Sequence, residues 1–99
     1  MKYLLWLSSD CTNLEETLES LKKVGAETGI LLIQDGVFMA DKGCSEGQVL
    51  ASYGVKIHVS KKHAEERGLI NRLHDSAKLV DYPEIVDLIM EKYDRVISI

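Results

Sequence analysis

Gly29-Ile30-Leu31-Leu32-Ile33-Gln34-Asp35-Gly36-Val37 is the stretch whose reading decides the fold. From Ile30 to Ile33, four large aliphatic residues run without a polar break. A strand with one face in water alternates apolar and polar side chains, whereas a strand covered on both faces need not. The run falls well short of the roughly 20 apolar residues that span a bilayer. It therefore reads as the central strand of a parallel sheet with helices on both sides. Gln34-Asp35-Gly36 ends it abruptly. In open parallel sheets, ligands and partners meet the carboxyl ends of the strands. Gln34, Asp35 and Gly36 are accordingly candidate contact or turn residues.

Upstream, Lys2 to Leu7 reads as the first strand. Thr12-Asn13-Leu14-Glu15 has the form of a capping box, Thr12 being the cap. The helix it opens carries Leu14, Leu18 and Leu21 on one stripe, with acids early and lysines late as the helix dipole favours. Gly25 is its stop, and the central strand then runs from Thr28 to Gln34. Downstream, Val37-Phe38-Met39-Ala40 is too short to be a whole element. It reads as a first helical turn or a partly exposed segment beside the sheet, with Phe38 and Met39 as interface candidates. Ser45-x-x-Gln48 is a second capping-box pattern, followed by Val49, Leu50 and Tyr53 as a packing face and by Gly54 as a stop.

Val55 to Val59 is the third strand, and Ser60 caps a helix through Arg67. Leu69 to Ser76 is a connection with room for one helical turn, and Ala77 to Val80 a fourth strand. Pro83 marks the start of the last helix, whose apolar face reads as Ile85, Val86, Ile89, Met90 and Tyr93. Arg95 to Ile99 is the fifth strand. Alternation of strand and helix predicts one α/β domain over residues 1–99, a three-layer α/β/α sandwich with a mostly parallel five-stranded sheet.

The formal charge of −4 gives no general attraction to nucleic acid or to an anionic membrane, and neither is an expected direct partner. Met1-Lys2 leads straight into the first strand with no small-residue cleavage site, so a cytoplasmic protein is expected. Cys11 and Cys44 are then free thiols, and neither forms a metal-ligand spacing with His58, His63 or His74. No metal and no cofactor are expected. The loop after the first strand, Ser8-Ser9-Asp10-Cys11, lacks the glycines of a dinucleotide turn, and there is no Walker lysine. Cys11 is the candidate nucleophile, because a helix N-terminus just beyond it favours thiolate, although Asp10, Glu15 and Glu16 oppose it. Cys44 reads as an exposed loop thiol, His58 as a packed imidazole, and His63 and His74 as surface residues.

Ile30 to Val37 resembles the "LLLQDGV" signature of the DsrH/TusB family, within the DsrE/DsrF/DsrH-like superfamily. Val55 to Val59 with Glu66-Arg67-Gly68-Leu69 is similar to the family's next segment, a strand then a helix ending in "ARGL". Leu79-Val80-Asp81-Tyr82 through Val86-Asp87-Leu88 is similar to its "LIDY…FVxL" segment. The three occur in family order. The resemblance implies a DsrEFH-like fold and a place in sulfur relay, towards 2-thiouridine in tRNA or in sulfur oxidation, beside DsrE-like and DsrF-like partners. The sulfur-carrying cysteine of the DsrE-like partner lies near the end of the third strand; here that region is His58-Val59-Ser60-Lys61. A non-catalytic assembly subunit, partnered by DsrE-like and DsrF-like proteins or by copies of itself as a homo-oligomer, is therefore the leading expectation. An active persulfide carrier using Cys11, or Cys44, is the alternative, and a small-ligand-binding domain without a sulfur role is a third.

Overall fold

The computed structural model of the chain describes residues 1–9 and 13–99. Five strands, β1 (Lys2–Leu7), β2 (Glu27–Leu32), β3 (Lys56–Ser60), β4 (Ala77–Val80) and β5 (Arg95–Ser98), alternate with helices α1 (Glu15–Lys23), α2 (Ser45–Ser52), α3 (Lys61–Glu66) and α4 (Tyr82–Asp87). A 3-10 segment, Gln34–Ala40, follows β2, a 3-10 turn, Ile70–Arg72, precedes β4, and α4 runs into a π turn, Leu88–Lys92. Every strand pair is parallel, in the order β4-β3-β2-β1-β5. The three-layer α/β reading thus holds, with β2 at the centre.

The strand order dictates the layers. From β1 to β4 the chain steps across the sheet in one direction, and crossovers of one hand then lay α1, α2 and α3 on the same face. The step to β5 reverses direction, so the same hand puts α4 on the opposite face. Packing follows this division. Leu5, Leu7, Ile30, Leu32, Ile57 and Val59 meet Leu14 and Leu18 of the α1 region, Leu50 of α2 and Ala64 of α3. Leu4, Leu31, Ile33 and Val80 meet Leu88, with Trp6, Ile85, Ile89 and Tyr93 around them. Ile30, Leu31 and Leu32 have no exposed surface, as a strand covered on both faces requires.

Local expectations hold unevenly. The proposed cap Thr12 lies outside the described residues; Asn13 Oδ1 accepts from the Glu15 N–H at 2.9 Å. Gly25, Gly54 and Gly68 all stop elements at positive φ. Ser60 does cap α3, accepting from the His63 N–H at 3.4 Å. The Ser45–Gln48 capping box does not form: Cys44 occupies the cap, and Gln48 Nε2 instead donates to the Lys42 carbonyl at 2.8 Å. A reciprocal box appears at α4, where Asp81 and Glu84 bond each other's backbone at 3.1 and 3.3 Å. The apolar face of α4 is also corrected. Leu88 is buried, whereas Val86 and Met90 are 39% and 74% exposed.

Below α4, the Tyr93 ring lies directly on Gly29, where a Cβ would overlap the Tyr93 hydroxyl. That hydroxyl sits 3.3 Å from His58 Nε2, and the rings meet edge-on at 6.3 Å. His58 is 8% exposed. Burial, reinforced by Lys78, Lys56 and Lys92, lowers its pKa, while Glu84 opposes the shift.

Two outcomes follow from this stack. Gly29→Ala should destabilise by about 1–3 kcal/mol, as overpacking does, and adding Tyr93→Leu should recover part of the loss in urea unfolding. Additive effects of the two changes would mean that the ring does not rest on Gly29. A folded-state pKa below the ordinary value makes His58 contribute stability that is present above about pH 6.5 and lost as acidification protonates the unfolded chain first. Melting between pH 7 and pH 5 should therefore show a falling midpoint, and His58→Gln should flatten that slope.

Candidate functional site

The carboxyl end of β2 is where the sequence placed its candidate residues. The strand stops at Leu32 rather than Gln34, because Gln34 adopts φ 49°. A left-handed conformation costs an L-residue with a Cβ roughly 1–2 kcal/mol. It persists here because its backbone is held: the Gln34 N–H donates to His63 Nδ1 at 2.8 Å. That bond requires the Nδ1 lone pair and exists only while the nitrogen is unprotonated. Asp35 receives Arg67 Nε at 3.1 Å, and Arg67 Nη1 also reaches the His63 carbonyl at 3.4 Å. His63 and Arg67 thus hold consecutive residues of the turn from one face of the α3 region, being four apart.

Gly36 is required by a close approach rather than by its torsion. Its φ is not positive; instead it is buried, and a Cβ would overlap the Leu7 carbonyl. The close approach seats the 3-10 segment on the end of β1. Beyond it, Val37, Met39 and Ala40 are buried, so the expected exposure of Met39 is corrected to 1%. An amphipathic 3-10 segment packed between sheet and helices leaves Phe38 half-buried against the same core. Gln34 and Asp35 are the members of the candidate set that face solvent.

The segment ends on a polar clasp. Asp41 accepts the Gly43 N–H at 2.9 Å and Arg72 Nε at 3.2 Å, and Lys42 N–H donates to the Arg72 carbonyl at 2.8 Å. The Gly43 amide first and the guanidinium second hold the Asp41 carboxyl below its ordinary range. Cys44 is half-buried rather than exposed, its Sγ 4.0 Å from Met39 Sδ. His74 is also corrected: it is half-buried, and burial pulls its pKa down. Cys11 lies outside the described residues. Among the described residues, no group of His, Cys, Asp and Glu side chains could hold a metal ion.

The DsrH-like protein family model matches residues 8–95. The chain belongs to the DsrH family. Protein TusB of Photorhabdus laumondii is 32% identical to this DsrH-family chain over 66 residues, covering 67% of it and 70% of the relative. Protein TusB of Yersinia pestis is 34% identical over 68 residues, covering 69% and 72%. The crystal structure of the ychN protein from E. coli superposes over the whole of both chains with a TM-score of 0.78 at 14% identity, a likeness of fold. The resemblance carried by the β2, β3–α3 and β4–α4 segments therefore identified the DsrH/TusB family rightly.

His63, read from the sequence as a surface residue, and Arg67, read only as the end of a helix, are the residues that sequence reasoning did not bring to this turn. Their spacing of four on the helix following β3 was the available signal. Gln34→Gly should stabilise the chain by about 1 kcal/mol by removing the left-handed penalty. His63→Ala should cost about 0.5–1.5 kcal/mol, the worth of one hydrogen bond. Urea unfolding that shows neither change would deny the turn its strained, clamped geometry.

Proposed function

We propose that this DsrH-family chain is a non-catalytic subunit of a cytoplasmic sulfur-relay system, assembling with DsrE-like and DsrF-like proteins. Its likeness to proteins named TusB favours the tRNA 2-thiouridine branch over sulfur oxidation. The observation that carries the assembly reading is an apolar stripe left in water on the one-helix face. Tyr82, Val86 and Met90, at spacings of four along α4 and its π turn, are 78%, 39% and 74% exposed. Val96 of β5, on the same sheet face as Leu4, is also 39% exposed. Large apolar side chains left in water on one helix face mark an interaction site.

Two features support an accessory rather than a sulfur-carrying role. The end of β3 has no thiol, and the Ser60 hydroxyl that stands there is engaged in capping α3. At the end of β2, Gln34 and Asp35 present a clamped polar turn suited to contact rather than to bond-making. The chain then acts by holding partners in register and is not an enzyme alone. No helix among the described residues is long and apolar enough to cross a membrane.

Co-expression with DsrE-like and DsrF-like partners should give a stable complex. Tyr82→Glu with Met90→Glu should weaken capture by about tenfold or more, roughly 1.4 kcal/mol, while leaving the circular dichroism unchanged. Incubation with a cysteine desulfurase, cysteine and relay proteins should leave Cys11 unmodified by intact mass. A stoichiometric persulfide on Cys11, lost with downstream transfer in Cys11→Ser, would replace this reading with that of an active carrier.

A further inference from the structure

The turn at the carboxyl end of β2 is held by a bond that a single proton destroys. The Gln34 N–H donates to His63 Nδ1 at 2.8 Å. A neutral imidazole can accept there only with its own proton on Nε2, whereas the imidazolium has a donor at each nitrogen and no acceptor. Protonation therefore sets a donor against a donor across this short distance, and the two groups must part. Water then takes up the freed N–H, because Gln34 is exposed. The backbone has a reason to move once it is free. Gln34 is held at φ 49°, and the left-handed penalty is of the same size as the worth of one hydrogen bond. The neighbouring chain is anchored: the Ile33 N–H donates to the Leu7 carbonyl at 3.0 Å, and Gly36 and Val37 are buried.

We propose that His63 and Gln34 form a proton-released latch, in which protonation of the ring frees Gln34 and Asp35 while the sheet and the 3-10 segment stay in place. The charged groups around the ring are engaged with one another. Asp35 pairs with Arg67 at 3.1 Å, Glu66 lies 3.8 Å from the same guanidinium, and Lys61 pairs with Glu65 at 4.0 Å. Lys62 is exposed on the same helix. From the 3-10 turn that packs on α3, Arg72 is bonded to Asp41. On β3, Ile57 and Val59 face the three-helix core, so Lys56 and His58 face the opposite side. Among the described residues, Gln34 is the group that bonds Nδ1, so it is the first to feel a proton there. On the assembly reading, the contact surface at this end of the sheet is then set by pH. The latch itself does not depend on that reading, and its test uses the chain alone.

The intact protein is followed by NMR between about pH 8 and pH 5, the range in which imidazoles titrate. The Gln34 amide signal should move with the same midpoint as the His63 ring signals. Its protection from hydrogen exchange should fall by about fivefold across that step, the weight of one hydrogen bond. Core amides of β2 should keep theirs. His63→Asn offers a carbonyl acceptor that does not titrate, and His63→Ala offers none; in both, the pH dependence at Gln34 should vanish. A Gln34 amide that stays in place while the His63 ring titrates would overturn the proposal. So would a Gln34 midpoint that follows the His58 ring, or one that survives in either variant, because a different group would then be driving the turn.

Discussion

Ile30, Leu31 and Leu32 are removed from water on both faces of the sheet at once, and the arrangement of every other element answers to that burial. A strand so apolar cannot be an edge, so it needs a paired neighbour on each side and a cover above and below. β1 and β3 supply the neighbours. The reversal of strand order between β4 and β5 supplies the second cover, since only a change of direction brings a helix of constant crossover hand onto the opposite face. The same constraint shapes the loop that follows. The chain must leave the sheet immediately after Ile33, which it does through a left-handed Gln34 and a glycine pressed onto the Leu7 carbonyl.

That exit gives the turn its rigidity. His63 and Arg67 reach it from the helix following β3, so the ends of two neighbouring strands are joined by side-chain bonds rather than by sheet hydrogen bonds. The cost of the left-handed residue is local, while the bonds that hold it come from residues about thirty positions later. Under the assembly role proposed above, a turn already clamped in this way would be an advantage, because less ordering free energy is lost on association.

The two faces of the sheet are covered unequally. Three helices bury the middle of one face, whereas α4 and its π turn shield β1 and β2 and leave the polar row of β3 and β4 beside a groove. β3 is built for this: Lys56 and His58 alternate with Ile57 and Val59. The outward side of α4 remains apolar at Tyr82, Val86 and Met90. One thin layer therefore carries an exposed apolar stripe on its outside and borders a groove of mixed charge along its inner edge.

Much of this was legible in one dimension. The unbroken Ile30 to Ile33 run determined a two-sided strand, the positive-φ stops at Gly25, Gly54 and Gly68 determined element boundaries, and three ordered segments determined the family. These are local signals, set by backbone sterics and by periodicity within a few residues. What surrounds each position was decided only by tertiary structure. Gly36 and Gly29 are glycines because Leu7 and Tyr93 arrive from elsewhere in the chain, not because of their own torsions. Met39 is buried and Met90 exposed although both sit in apolar patterns, because the 3-10 segment packs against the core while Met90 lies on the outward side of the last helix with Tyr82 and Val86. The partnership of Gln34 with His63, and of Asp35 with Arg67, depends on β2 and β3 being neighbours. Pairing between distant residues leaves no trace in local composition, and strand order alone creates it.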